Sequence, residues 1–140
     1  MAQMTKAQIE AFLAPPRHAI VATNRADGPP QVTPVWYVYE AGKLYISAGV
    51  GTTKVQNLRR DPRVTICVDG GHPDARYVIL QGNATILEPH DPLQEQMRWR
   101  IIRHYHETED EARRYYDSMR DFVSVLIVLT PEKINSQDFN

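Results

Sequence analysis

The chain has 140 residues, which is the length of one ordinary domain and too short for two. Hydrophobic residues make up 42% of it and charged residues 24%, as in soluble globular proteins, and no apolar run approaches the roughly 20 residues of a membrane-spanning helix. The 16 Lys and Arg side chains nearly balance the 17 Asp and Glu side chains, which excludes a global electrostatic attraction to nucleic acid.

The amino-terminal segment predicts a short helix. Residues Met4–Leu13 place Ile9 and Phe12 on one face, and a proline pair ends the pattern. We expect this helix to cover one end of a barrel. The segment lacks the basic and then apolar layout of a secretory signal, so we expect a cytoplasmic protein.

The next part of the chain predicts three strands. The segments His18–Thr23, Gln31–Tyr39 and Lys43–Ala48 are rich in β-branched and aromatic residues. The Asp-Gly pair at 27–28 and the Ala-Gly pair at 41–42 are typical of tight turns. We therefore expect a meander of three antiparallel strands.

The middle of the chain predicts a loop, a helix and two strands. Gly49–Thr53 reads as a loop that opens a helix over Lys54–Arg60, and an Asp-Pro pair ends that helix. The segments Arg63–Asp69 and Tyr77–Leu87 then predict strands, separated by a turn at Gly70–Asp74.

The last part of the chain predicts two helices and a final strand. The helices cover Leu93–Tyr105 and Glu109–Ser118, and the pair Asp91-Pro92 marks the start of the first. Leu93, Met97 and Ile101 form one stripe of that helix, which predicts core contact. The strand Phe122–Leu129 is almost wholly apolar, which predicts burial on both faces or against a partner subunit. The polar tail Asn135–Asn140 is expected to fray or to reach a neighbouring chain. Six strands with short helices between them indicate an α+β barrel that is mainly β, and they disfavour a doubly wound sheet.

A stretch rich in glycine and hydroxyl groups follows the third predicted strand. Ser47, Thr52, Thr53 and Lys54 offer hydroxyls and one ammonium at a helix start, where unpaired N–H groups and the helix dipole attract anions. The pattern predicts a phosphate site. The alternative is that Thr52 or Thr53 is a plain helix cap and Lys54 points into solvent.

Pro34 interrupts an otherwise regular strand. Because proline lacks a ladder donor, a break in pairing is expected there, which frees the backbone of Thr33, Val35 and Trp36 to bind the polar edge of a planar heterocycle. The alternative is an ordinary edge-strand proline. The alternation places Tyr37 and Trp36 on opposite faces, so one faces the core.

The sequence offers no evident catalytic acid, base or nucleophile. His104 and His106 do not share a helix face, and Cys67 lies in an apolar alternation that predicts structural filler. Arg98–Arg103 and Glu107–Arg114 read as solvated helix faces. We expect no metal site, and the absence of side-chain catalysts fits chemistry supplied by a cofactor.

These segments together resemble the pyridoxamine-phosphate-oxidase-like split-barrel superfamily. The motifs are TPVWY at 33–37, LYIS at 44–47 and TTKVQNLRRDPRV at 52–64, and they are most similar to the branch that uses the deazaflavin coenzyme F420. The resemblance implies a single domain over residues 1–140, built on a six-stranded antiparallel split β-barrel with short flanking helices. It also implies a homodimer with sites at the subunit interface.

The same resemblance assigns residues to cofactor binding. Ser47, Thr52, Thr53 and Lys54 would hold the cofactor phosphate, and the backbone over Thr33–Trp36 would meet the pyrimidine edge of the ring. Arg59 and Arg60 are candidates for the anionic tail of a deazaflavin, although they also fit plain helix-end charges. Gln81 is a weaker candidate, because the glycine after it permits close approach of another group.

The implied activity is hydride transfer from reduced coenzyme F420 to a conjugated acceptor such as a biliverdin-like tetrapyrrole or a quinone. One alternative is an FMN-dependent oxidoreductase of the same fold. Others are a non-catalytic protein that binds flavin, haem or tetrapyrrole, and a structural dimer module that binds no anionic cofactor.

Overall fold

Eight strands and four helices make up the chain in a computed structural model that describes residues 2–140. The strands are β1 (Ala19–Thr23), β2 (Gln31–Val35), β3 (Val38–Glu40), β4 (Lys43–Gly49), β5 (Arg63–Asp69), β6 (Arg76–Leu87), β7 (Ser124–Leu129) and β8 (Lys133–Asp138). The helices are α1 (Lys6–Leu13), α2 (Thr53–Arg60), α3 (Pro92–His104) and α4 (Glu109–Ser118). None of these described helices is long and apolar enough to cross a membrane.

The strands form one curled antiparallel sheet in the order β2-β1-β5-β6-β7-β4-β3, and β8 also pairs with β6. The long strand β6 joins two half-sheets, because its first part pairs with β5 and β8 and its second part pairs with β7. The first half-sheet is therefore β2, β1, β5, β8 and the start of β6. The second half-sheet is β3, β4, β7 and the end of β6. This arrangement is a split barrel, as the resemblance implied, and the mainly β, α+β class is confirmed.

Two differences raise the strand count from the predicted six to eight. The predicted strand Gln31–Tyr39 is broken at Trp36 and Tyr37, so β2 belongs to the first half-sheet and β3 to the second. The predicted meander of three strands is therefore two separate hairpins. The polar tail does not fray, because Lys133–Asp138 pairs with residues 76–81 of β6.

The core fills the space inside the curled sheet. Alternate residues of β1, β4 and β5 point inward and are buried, as their period of two predicts. β7 is buried on both faces, which confirms the expectation from its apolar sequence. Helix α1 closes one end of the barrel with Phe12 and Leu13, and its first turn is fixed by a capping box between Thr5 and Gln8.

Helix α3 covers the outer face of the second half-sheet, and α4 packs on α3. Met97 and Ile101 of α3 pack against Leu126 of β7, and Trp36 and Tyr45 join this second cluster. The Asp91 side chain accepts a hydrogen bond from the Leu93 N–H and caps α3, as the Asp-Pro signal predicts. The outer face of the first half-sheet is different, since it leaves apolar side chains exposed.

Candidate functional site

A cleft of about 370 Å³ lies between the amino end of α2, the break after β2 and the underside of α3 and α4. We call it the α2–α3 cleft, and its volume is within the range of small-molecule sites. It brings together six of the predicted site residues, which are Pro34, Val35, Trp36, Ser47, Thr52 and Lys54. The rest of the lining is Ala48, Gly49, Arg98, Ile101, Ile102, Tyr115, Met119 and Phe122.

The amino end of α2 is open toward ligands. Thr52 occupies the N-cap position, but its side chain accepts no hydrogen bond from the helix. Its hydroxyl instead donates to the Gly49 carbonyl at 2.9 Å. The first-turn N–H groups therefore lack the side-chain cap that such helices usually have. The alternative interpretation of Thr52 as a plain cap does not describe this helix, and Thr53 is exposed outside the cleft lining.

Lys54 lines the cleft as a cation without an anionic partner. No carboxylate of the described residues 2–140 lies within 4 Å of its Nζ as an ion pair, and the cleft lining contains no Asp or Glu. Partial burial lowers the pKa of Lys54, because removal of water disfavours the charged form. A bound phosphate would reverse that shift, so the donor set fits an anion.

The break after β2 is held open by a tyrosine of the α3 carboxyl end. The Tyr37 N–H donates to the Tyr105 hydroxyl at 3.1 Å, and that hydroxyl donates to the Arg17 carbonyl. Tyr37 itself is buried in the core, where its hydroxyl donates to the Leu13 carbonyl at 2.9 Å. The chain thus leaves the ladder at Trp36 and re-enters it at Val38. The break that was expected at Pro34 therefore lies two residues further along, because Pro34 itself stays paired with Ile20 of β1.

Pro34 lies in an edge strand, since β2 is the last strand of the sheet order. The interpretation as an ordinary edge-strand proline therefore holds, since Pro34 stays paired with Ile20 and the break begins only after Val35. Beside it, the Thr33 Oγ1 is buried and has no hydrogen-bond partner among the described residues. A buried hydroxyl without a partner is rare in native proteins, but Thr33 lies outside the cleft lining and is paired in register with the core residue Val21.

Trp36 forms one wall of the cleft and is fixed by aromatic contacts. Its ring stacks on Tyr105 with centroids 4.9 Å apart and planes 8° apart. Tyr115 lies 5.4 Å from it and His106 lies 5.8 Å from it. The predicted alternation is confirmed, because Trp36 faces the cleft side and Tyr37 faces the core.

Arg98 is the charged residue of the cleft that the sequence pattern does not find. The charged run at 98–103 predicts a solvated face, yet Arg98 is only 8% exposed. The buried face of α3 comprises Gln94, Met97, Arg98, Ile101 and Ile102, whereas Leu93, expected on the buried stripe, is exposed. Positions 94, 98 and 102 are four residues apart and so lie on one helix face. Because the first two are polar, the hydrophobic pattern does not mark that face as buried.

Arg59 and Arg60 lie outside the cleft lining and are held by other groups. Arg59 forms a bidentate ion pair with Glu88 at 2.7 and 2.9 Å, and this contact raises the pKa of Arg59. Arg60 donates to the Asn24 carbonyl. These contacts are those of helix-end charges, and a role in binding an anionic tail stays a prediction.

Gln81 lies away from the α2–α3 cleft. It borders a separate cavity of about 670 Å³ on the outer face of the first half-sheet, where its amide donates to the Thr65 hydroxyl at 3.2 Å. The approach that Gly82 permits is made by the chain itself, since a Cβ there would lie 3.2 Å from the Glu132 nitrogen. A contact of Gln81 with the cofactor stays a prediction.

The histidines and the cysteine serve no shared site. The His106 Nδ1 donates to the Ile102 carbonyl at 2.7 Å. Within residues 2–140 no three His, Cys, Asp or Glu side chains are grouped as metal ligands. Cys67 is only half-buried, on the outer face of β5, so it is not the core filler that the alternation predicts. Partial burial raises the pKa of its thiol.

Comparison with known proteins gives a consistent result. The family model described as pyridoxamine 5′-phosphate oxidase matches residues 5–138. The conserved hypothetical protein Rv2991 from Mycobacterium tuberculosis is 27% identical with a TM-score of 0.77, over 96% of this chain and 85% of its own.

Two further solved structures share the fold at lower identity. One, an F420 reductase, is 24% identical with a TM-score of 0.68, and the match covers 89% of this chain and 94% of the other. The second is a pyridoxamine 5′-phosphate oxidase-related, FMN-binding protein from Nostoc punctiforme. It is 16% identical with a TM-score of 0.63, over 87% of this chain and 74% of its own.

Proposed function

Because the chain belongs to the pyridoxamine 5′-phosphate oxidase family, we propose that it is an oxidoreductase that binds a flavin or deazaflavin in the α2–α3 cleft. The observation that carries the proposal is the position of Lys54 beside the uncapped amino end of α2, in a cleft lined by no carboxylate. This combination of ammonium, hydroxyl and free N–H groups is what a phosphate monoester or diester needs.

Different residues of the cleft would bind different parts of such a cofactor. Lys54, Ser47 and the first turn of α2 would hold the phosphate. The backbone at 33–36 would meet the polar edge of the ring. Ile101, Ile102 and Phe122 line one side of the cleft with apolar surface, which would limit the access of water to a bound cofactor and favour hydride transfer over side reactions.

Coenzyme F420 is the cofactor that we propose, and when bound it supplies a hydride for a conjugated acceptor such as a biliverdin-like tetrapyrrole or a quinone. The motifs at 33–37 and 52–64 support this choice, and a solved F420 reductase has the same fold. The protein's own part is to bind and orient both molecules, because the cleft contains no carboxylate or histidine to move a proton.

FMN is the second candidate cofactor, and one contact favours it. Arg59, a proposed ligand for the tail of the deazaflavin, is already paired with Glu88. FMN has no such tail and needs only the phosphate site at α2. The FMN-binding protein from Nostoc punctiforme also has this fold.

We also propose that two copies of the chain associate through the outer face of the first half-sheet. The strand register places Pro34, Ile20, Cys67 and Ile79 in one row across β2, β1, β5 and β6, and Ile20 is 37% exposed. Pro34 belongs to this row and to the cleft lining. A second copy on this face would therefore adjoin the cleft, and its Gln81 would lie on the shared surface.

A parallel titration tests the proposed function. Purified protein would be titrated with oxidised F420 and with FMN, with quenching of tryptophan fluorescence as the signal, since Trp36 lines the cleft. We expect tighter binding of F420, followed by turnover of reduced F420 with quinone or biliverdin acceptors. Tighter binding of FMN would indicate that the chain belongs to the FMN-dependent branch of the family. Binding without turnover would indicate a carrier or sensor, and binding of neither would contradict the proposal.

A further inference from the structure

Arg98 is a buried cation in the roof of the α2–α3 cleft. Among residues 2–140 it is the one Lys, Arg, Asp or Glu side chain that the structure buries, with 8% exposure. A buried guanidinium is costly unless an anion or several acceptors compensate it. The partners of Arg98 within the chain therefore decide whether it serves the fold alone.

One of those partners is the Tyr116 ring, whose centroid lies 5.3 Å from the Arg98 Cζ, but most of the N–H donors are left unused. One nitrogen, Nη2, donates to the Met119 carbonyl at 2.7 Å. The nearest carboxylate oxygen, of Glu95, lies 3.9 Å from Nη1, and that carboxylate is half-exposed and accepts from the Tyr116 hydroxyl. By contrast, Arg76 reaches Asp74 at 2.7 Å. Since a guanidinium carries five N–H donors, Arg98 keeps donors and charge for a ligand in the cleft.

The surroundings of Arg98 fit the part of the cleft that the cofactor would leave open for a second molecule. Ile101, Ile102, Met119 and Phe122 line the same roof with apolar surface. A roof of this kind with one guanidinium suits a flat apolar molecule that carries a carboxylate, which an arginine can bind through two parallel hydrogen bonds. The cation proposed for the phosphate, Lys54, lies on a different element, α2.

We propose that Arg98 binds a carboxylate of the acceptor, so that the acceptor is a conjugated, planar anion rather than a neutral quinone. This inference rests on the proposed function, because that function identifies the ligand as the acceptor. It assigns two cations of one cleft to two molecules, with Lys54 for the cofactor phosphate and Arg98 for the acceptor carboxylate.

The test uses two probes of equal size that differ in charge, 2-naphthoate and 2-naphthamide. Isothermal titration calorimetry would measure their binding to the wild-type protein and to the variants Arg98→Met, Lys54→Ala and Arg103→Met. Arg103 is a matched control, because it lies on the same helix and also donates to a backbone carbonyl, that of His106, but it does not line the cleft. Thermal unfolding would confirm that each variant is folded.

We expect the wild type and Arg103→Met to bind naphthoate about tenfold or more tightly than naphthamide. Arg98→Met should lose that preference and keep its affinity for the cofactor. Lys54→Ala should keep the preference for naphthoate and lose affinity for the cofactor. If Arg98→Met is unfolded, Arg98→Lys takes its place in the experiment. This variant should still bind naphthoate more tightly than naphthamide, but by a smaller factor than the wild type.

Three results would overturn the inference. These are a wild type without preference for naphthoate or without binding of either probe, a preference that survives in Arg98→Met, and a preference that disappears in Lys54→Ala. Failure of the proposed function is a separate result, because it would show as no binding of F420 or FMN while the naphthoate preference was still measurable.

Discussion

The ammonium of Lys54 connects the sequence motif to a measurable property of the site. Partial burial lowers its pKa in the protein without ligand, and a bound phosphate favours the protonated form. Cofactor affinity should therefore be constant at pH values below the lowered pKa and should fall as the pH rises through it.

Titrations of the cofactor between about pH 7 and pH 10 would show this dependence. Lys54→Arg is the control, because a guanidinium stays protonated over that range, and its profile should be flat. An equal fall of affinity in Lys54→Arg would mean that another group causes the pH dependence.

Tyr105 is a second residue whose role can be isolated. Its hydroxyl accepts from the Tyr37 N–H and donates to the Arg17 carbonyl, while its ring stacks on Trp36. Tyr105→Phe keeps the stack and removes both hydrogen bonds, so we expect a loss of about 1 to 3 kcal/mol in the free energy of unfolding.

Chemical denaturation would measure that loss. Tyr77→Phe is the control, because the Tyr77 hydroxyl makes no hydrogen bond to the part of the chain that the structure describes, and it should change stability little. Equal stability of Tyr105→Phe and the wild type would show that the break after β2 does not depend on this hydroxyl.

The prediction of single site residues succeeds where the signal is local. Ser47, Thr52 and Lys54 follow one another along the chain, so a motif is enough to place them together. Arg98 was missed because its burial depends on α4 folding over α3, which is a contact between distant parts of the chain. Gln81 shares no cavity with them because it lies on another face of the sheet.

At the scale of elements, α2 is docked by a buried polar contact. The Asn57 amide donates to the Thr23 hydroxyl of β1 at 3.1 Å, and both residues are buried. Asn57→Ala leaves this hydroxyl without its donor, so we expect a loss of about 1 to 3 kcal/mol in stability. Because α2 carries the phosphate site, cofactor affinity should fall as well.

Thermal unfolding and cofactor titration of the same samples would check both effects. Gln56→Ala is the matched control, since Gln56 precedes Asn57 on α2 and is exposed. Loss of stability without loss of affinity would show that the amino end of α2 does not depend on this contact.

Helices and turns follow local rules in this chain, whereas strand pairing does not. The bounds of α4 agree with the sequence pattern, and α3 begins where the Asp-Pro signal predicts. The strand β8 has the polar sequence KINSQD and no apolar alternation, so only its pairing with β6 makes it a strand. At the break, the Tyr37 N–H donates to the hydroxyl of Tyr105, which lies far along the chain.

At the scale of the whole molecule, the exposed row on the first half-sheet predicts a dimer. Ile20→Glu places a charge in the centre of this face, and burying that charge in an interface would be costly. We expect the variant to sediment as a monomer in analytical ultracentrifugation. Leu93→Glu is the control, because Leu93 is also 37% exposed but belongs to α3, and it should not change the assembly. A monomeric wild type would contradict the proposed association.

The central claim is that Lys54 and the amino end of α2 hold the phosphate of the cofactor. The most direct test compares binding of FMN with riboflavin, and of F420 with its phosphate-free deazaflavin riboside, in the wild type and in Lys54→Ala. Lys43→Ala, on exposed Lys43 at the start of β4, serves as the control. We predict that Lys54→Ala weakens the phosphate-bearing cofactor by about 1.5 to 3 kcal/mol and leaves the phosphate-free form unchanged. An equal loss for both forms, or no loss for either, would contradict the phosphate site at α2.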